Sequence, residues 1–198
     1  RDELNKGLFA GKGAPLINNP FHPIRQGWNP DWERRFATEY GYDQAAARSL
    51  LAEAGYSAAN PLQINMLLGP VPGVTAADDV AEAIANYWRA VGVQVELVTI
   101  DPAQRTAQTR AGRITRHTTV SATNSNQWVG HYNFGTSLTR ATGVLGGTGP
   151  ELWDAEQLML QIANTLDEKK IEGYWRQIGD ILYDQHKNIP LFWLPVEV

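Results

Sequence analysis

The chain has 198 residues, 43% of them hydrophobic, enough for one well-buried domain or a domain plus a fragment of another, and too apolar for a disordered chain. Seventeen Lys and Arg against 21 Asp and Glu leave a formal charge of -4, which offers no global attraction to nucleic acid or anionic lipid. Cysteine is absent, so thiol catalysis, disulfides and cysteine metal sites are excluded, and no apolar run is long enough to span a bilayer as a helix.

The opening "RDELNKGLFAGKG" has no methionine and no charged-then-apolar leader, and it reads as a piece cut from a longer protein. Leu4 and Leu8 share one face of a first helix, and Gly11 is placed to end it. From Leu16 to Tyr42, Pro, Asn and aromatic residues occur without a sustained period. The expectation there is a long extended loop pinned by Trp28, Trp32 and Phe36.

"DQAAARSLLAEAGY", Asp43 to Tyr56, predicts a short helix capped by Asp43, with Ala47, Leu50, Leu51 and Ala54 as its apolar stripe. Gly55 ends it in the left-handed conformation, and Tyr56 folds back toward Leu51. In "PLQINMLLG" the alternation of Leu62, Ile64, Met66 and Leu68 predicts a strand, followed by Pro70, Pro72 and Gly73 as breakers. Thr75 and Asp78 have the spacing of a capping box for the next helix, whose stripe is Val80, Ile84, Tyr87, Trp88 and Val91, with Gly92 as its stop.

"VQVELVTI" is then a β-branched strand, which completes a strand-helix-strand unit of the right-handed parallel kind. Asp101 and Pro102 predict the start of a further helix that Gly112 ends, and "HTTVSAT" a third strand. The fold class is therefore α/β, with helix N-termini and strand ends converging on one sheet edge, where ligands of such sheets bind. A helix from Glu151 to Leu166 with an apolar face of Leu152, Leu158, Leu160 and Ile162, a helix capped by Asp167, and an exit strand "NIPLFWLPVEV" close the chain.

Taken in order, "YDQAAARSLLAEAGY", "LQINMLL", "VAEAIANYWRAVGVQVELV" and "YWRQIGDILYDQHKNIPLFWLP" closely resemble the extracytoplasmic solute-binding proteins of peptide and nickel ABC importers, family 5, oligopeptide/dipeptide-binding type. The likeness covers essentially the whole chain. It implies a type II periplasmic-binding-protein fold in which residues 1–188 form the second, C-terminal ligand-binding lobe and 189–198 a strand returning toward the first lobe and hinge. It further implies a monomer, periplasmic or extracytoplasmic, membrane-associated through the ABC permease subunits to which it delivers a peptide or related small solute, with lipid anchoring left open. No cofactor, metal, nucleic acid or catalytic residue is implied.

In this family a tryptophan and neighbouring polar groups after the third strand face the ligand, and "NSNQWVGHYNF" occupies that place. The resemblance thus assigns ligand binding to Asn126, Gln127, Trp128, His131, Tyr132 and Asn133. Peptide-binding relatives carry a motif like Trp-x-x-Asp-Tyr, whose acid faces the peptide ammonium. Trp128 and Tyr132 match it, but His131 stands in place of the acid, which points away from free-amine peptides and toward a neutral or anionic solute or a metal chelate.

Other features carry less. Trp28, Trp32, Trp88, Trp153 and Trp175 read as core residues. His22, His117, His131 and His186 lack metal-ligand spacing, and "GVLGGTG" lacks the Lys-Ser/Thr of a phosphate loop. The alternative function, an α/β enzyme, would need its catalytic residues outside these 198, since neither a nucleophile elbow nor a cysteine nucleophile is present.

Overall fold

The computed structural model describes residues 1–71, 73–101, 103–104, 107–108, 116–120 and 153–194. They separate into two units, one formed by residues 1–12 with 41–120 and one by 13–40 with 153–194.

In the first unit, β2 (Gln63–Leu68) is the middle strand of a three-stranded sheet, flanked by β3 (Gln94–Thr99) and β4 (His117–Thr119). Both pairings are parallel, with Leu68 opposite Thr99 and Leu67 opposite Thr119. The crossover from β2 to β3 is α4 (Ala77–Ala90), as the alternation of periods predicts. The expected alternation along β2 holds only in part, because Met66 and its neighbour Leu67 are both buried. A central parallel strand is covered on both faces and has no solvent side.

Helix α4 lies on the sheet through Ala77, Val80, Ala81 and Ala85, and Ile84, Trp88 and Val91 of the expected stripe pack half-buried against the same core. Its start also differs: Ala76 is the N-cap and no side chain caps it, while Asp78 accepts from Gly69 N (3.1 Å) instead of joining a capping box with Thr75. Helix α3 (Gln44–Glu53) has the predicted cap, with Asp43 Oδ1 accepting from Ala45 N and Ala46 N at 2.8 and 2.9 Å. Gly55 is left-handed at φ 85, and Tyr56 N donates to Leu51 O (2.9 Å). The apolar stripe of α3 is not buried, however; Leu51 alone reaches the sheet core, Leu50 is 65% exposed, and Arg48 Nη2 ties the helix to Ala90 O (2.9 Å). Helix α1 (Asp2–Phe9) buries Leu4 and ends at Ala10 and Gly11, both at positive φ.

The second unit corrects the reading of residues 16–42 as a loop. Pro30–Glu39 is a helix, α2, with Asn29 as N-cap accepting from Asp31 N (3.0 Å) and Pro30 in the first turn. Helices α5 (Trp153–Ala163) and α6 (Glu168–Asp184) complete the layer, and Asp167 Oδ1 caps α6 by accepting from Lys169 N and Lys170 N, as its position predicts. On α5 the packed face is Ala155, Leu158, Met159 and Ile162, the strict i, i+3, i+4, i+7 set. Leu160, placed on that face by the sequence, is 49% exposed.

Trp32 and Phe21, both at 0% exposure, sit edge to face with ring centroids 5.2 Å apart, and Trp175, Ile178, Leu182 and Tyr183 of α6 surround them. The Tyr183 hydroxyl donates to Trp32 O (3.0 Å), and burial pushes its pKa up to about 12. The exit strand β5 (Phe192–Trp193) pairs antiparallel with β1 (Ala14–Pro15).

Two glycines of α6 make opposite demands. A Cβ at Gly179 would stand 2.2 Å from Trp32 Cη2 and 2.5 Å from Cζ2, whereas one at Gly173 would meet nothing within 4 Å. Gly179→Ala is expected to lower stability by about 2 kcal/mol or more, because a buried indole cannot give way. Gly173→Ala is expected to raise it by roughly 0.5–1 kcal/mol through helix propensity. Urea denaturation followed by tryptophan fluorescence checks both; equal effects of the two substitutions would contradict the close approach.

Candidate functional site

All three strands of the first unit run in one direction, so Leu68, Thr99 and Thr119 bring their chain ends to a common edge. One further ladder bond, Ile100 N to Leu68 O (3.3 Å), extends β3 beyond the edge. Gly69 follows β2 and passes so close to its neighbour that a Cβ would lie 3.3 Å from Ile100 O. Its N–H is held by Asp78 in the first turn of α4, which fixes that helix N-terminus at the strand end. After β3, Asp101 Oδ1 accepts from Ala103 N (2.9 Å) and Gln104 N (3.1 Å), the capping predicted for it. On β4 the Thr119 hydroxyl lies 3.2 Å from both Leu67 O and Val120 O, to either of which its one hydrogen can be donated. The edge thus presents two chain turns whose backbone N–H groups are taken up by Asp78 and Asp101, a defined rim at the ends of the three strands.

In sequence, the segment assigned to ligand binding follows β4. Asn126, Gln127, Trp128, His131, Tyr132 and Asn133 themselves lie outside the described residues.

The second unit has two features that the sequence did not single out. An open groove of about 460 Å³ runs between α5 and α6, lined by Asp154, Gln157, Gln161, Gln177 and Asp180 among others. Asp180 is already engaged there, since its Oδ1 accepts from Trp32 Nε1 (2.8 Å) and Asn29 Nδ2 (2.9 Å).

The other feature is a cluster around Trp193. Arg25 is only 7% exposed; its guanidinium lies 5.6 Å from the Trp193 ring centroid, and Nη1 donates to Pro20 O (3.2 Å). The His22 ring meets Trp193 edge to face at 5.3 Å, and its Nδ1 accepts from Ile24 N (3.4 Å). Burial, and secondarily the Arg25 charge, hold the His22 pKa below its usual 6.5, while burial also draws Arg25 down. Nothing in "HPIRQG" marks Arg25 as buried, because the enclosure comes from β5, far away in the sequence. Among the described residues no group of three or more His, Asp or Glu is arranged to hold a metal ion.

Set against known proteins, residues 1–138 match the family described as bacterial extracellular solute-binding proteins, family 5 Middle. The dipeptide-binding protein of Escherichia coli (strain K12) is 27% identical over 195 residues, which cover 93% of this chain and 34% of the relative. Among solved structures, NikA from Brucella suis in complex with Fe(III)-EDTA superposes with a TM-score of 0.77 at 18% identity, over 98% of this chain and 39% of that one. HbpA2 from Haemophilus parasuis gives 0.71 at 25% identity, over 94% and 36%. DppA from Helicobacter pylori in complex with the peptide STSA gives 0.68 at 18% identity, over 96% and 35%. The chain therefore spans about a third of the curated relative's length, and these likenesses support the α/β, periplasmic-binding-protein type of fold.

The depressed His22 pKa has a consequence for stability. Above pH 6.5 the ring is neutral folded or unfolded; below it the unfolded chain takes up the proton first, so stability falls as the pH drops from 6.5 toward the folded-state value. Urea midpoints measured at pH 7.5 and 5.5 are expected to differ more for the wild type than for His22→Gln. Identical differences would show that His22 titrates as it does in the unfolded chain.

Proposed function

From the chain's membership of the bacterial extracellular solute-binding proteins, family 5, we propose that it is the second lobe of a two-lobe protein that binds a small solute in the cleft and hands it to an ABC permease. Among the described residues no helix is long and apolar enough to cross a membrane, and the proposed setting is the periplasm or cell exterior, with the membrane reached through the permease. The protein works as a monomer. The family description is one of solute binding, which favours this reading over an α/β enzyme.

The observation that carries the reading is the common edge of β2, β3 and β4, with Gly69, Asp101 and Thr119 at its rim. Asn126 follows Val120 by six residues, a reach of at most roughly 20 Å, so chain connectivity supports the assignment of Asn126, Gln127, Trp128, His131, Tyr132 and Asn133 to the same site. Residues 189–198 are proposed to return toward the first lobe. Each lobe supplies part of the contacts, and a solute that binds the closed form more tightly shifts the balance toward closure. Peptide and metal-chelate ligands of similar proteins bound the solute class, and His131 in place of an acid favours a solute without a free ammonium, since an unpaired buried charge costs several kcal/mol.

Native mass spectrometry of the full two-lobe protein tests the reading: a small molecule is expected to co-purify unmodified, and turnover of that molecule into a product would overturn it. Calorimetry with the same solute is expected to give much weaker binding to the 198-residue chain than to the two-lobe protein, because closure cannot bury the ligand against one lobe.

The solute class is tested separately by His131→Asp in the two-lobe protein. Short free-amine peptides are expected to gain about tenfold or more in affinity, with their N-acetylated forms unchanged. No gain in either series would place His131 outside the site.

A further inference from the structure

Arg25 reverses the usual pattern of arginine use. Among the described residues, the ion-paired arginines Arg34, Arg35 and Arg176 all keep side-chain exposures of 42% or more. Arg25, at 7%, is enclosed and has no carboxylate partner among the described residues; its guanidinium makes one hydrogen bond there, from Nη1 to Pro20 O. A guanidinium enclosed without an anion is costly unless its remaining N–H groups are served. Nε and Nη2 have no partner among the described residues, and neither is fully buried, since the only fully buried side-chain polar atom without a partner there is Asn19 Oδ1.

We propose that Arg25, clamped by Trp193 and Pro20 O with its Nε–Nη2 edge free, is a binding site for a carboxylate group. The chemistry fits in three respects. The Nε–H and Nη2–H pair forms a planar fork that matches the two oxygens of a carboxylate. The Trp193 ring and the Pro20 carbonyl hold that fork in one orientation, so little side-chain freedom is lost on binding. His22 adds a neutral donor nearby, since Nδ1 accepts from Ile24 N and the proton of the neutral ring is therefore on Nε2. Cation, donor and aromatic wall lie within one unit and need nothing from the sheet edge. The inference rests on the solute-binding reading only for the source of the carboxylate, a small solute's own acid group.

The test uses the 198-residue chain, acetate as the probe, and the Arg25 Nε–H, His22 ring and Trp193 indole signals in nuclear magnetic resonance spectra. A saturable shift of all three with sodium acetate, absent with sodium chloride at equal ionic strength, is expected. Arg25→Lys keeps the charge and loses the fork, and the His22 and Trp193 signals are expected to need about tenfold more acetate; in Arg25→Gln they cease to respond. Shifts that chloride reproduces, or that survive in Arg25→Gln, would overturn the proposal, and the wild-type titration decides it even if a variant fails to fold. N-Acetyl-dialanine is expected to act like acetate and its C-terminal amide to be silent; equal responses would overturn recognition of the acid group. A two-lobe protein that binds no solute, beside an intact acetate response, would sink the functional reading and spare this one. Loss of the acetate response beside normal solute binding would do the reverse.

Discussion

The second unit depends on one close approach, the indole of Trp32 against the backbone of α6 at Gly179. Burying a ring of that size contributes roughly 4–6 kcal/mol from area alone, before ordering costs, but only if its N–H finds a partner. Asp180, next to the glycine, supplies that partner, and the same carboxylate oxygen accepts from Asn29, the residue that caps α2. The register of α2 against α6 is therefore set twice over, by a shape that admits only glycine and by an acid that serves both the ring and the cap. Around this contact the other aromatic rings fall into place: Phe21 meets Trp32 edge-on, Tyr183 stacks on it at 6.1 Å, and Tyr40 donates to Tyr183 O. The Asn18 side chain adds a bond to Gly179 O (2.9 Å), holding the loop before α2 to the same point of α6.

In the first unit the organising element is β2, which is paired along both edges and buries Met66 and Leu67 on its opposite faces. Small residues on α4 let that helix approach the sheet closely, and Arg89 turns back to donate to Val95 O (2.7 Å), occupying a carbonyl on β3, the outer strand. An outer strand with free backbone groups invites pairing with another chain, and a cation placed over it opposes that. Asp78 joins the end of β2 to the start of α4, so the geometry of the sheet edge is fixed by local bonds and does not depend on a bound solute.

What was legible in the sequence was mostly local. Asp43, Asp101 and Asp167 cap helices through bonds to residues two and three positions on, and the strand-helix-strand order follows from periods that change within a few residues. Helix α2 was hidden because Pro30 and the aromatic residues around it read as loop chemistry. Its two signals, an Asn-Pro start and Trp32 four residues before Phe36, are weak until the ring is seen to be buried. The exposed stripe of α3 and the outward Leu160 of α5 show the other limit: periodicity gives a face, but which apolar face is covered depends on neighbours far away in the sequence. Arg25 was missed for the same reason, as the Trp193 that encloses it lies 168 positions later. The segment with Trp128 and His131 was singled out only through family resemblance, since no local period marks it.

A two-lobe binding protein gains nothing from a lobe that already holds the solute firmly when open, because equal affinity for the open and closed forms leaves their balance unchanged. The sheet edge of this chain meets that requirement by being largely self-satisfied. The N–H of Gly69 is taken by Asp78, those of Ala103 and Gln104 by Asp101, and that of Ile100 by Leu68 O, so few free donors remain at the described rim to bind a solute alone. Under the proposed function, discrimination must then come from the segment that follows β4 in the chain and from the facing lobe. The choice of solute can change with a few residues there, such as His131 for an acid, while the scaffold of β2, β3 and α4 stays as it is.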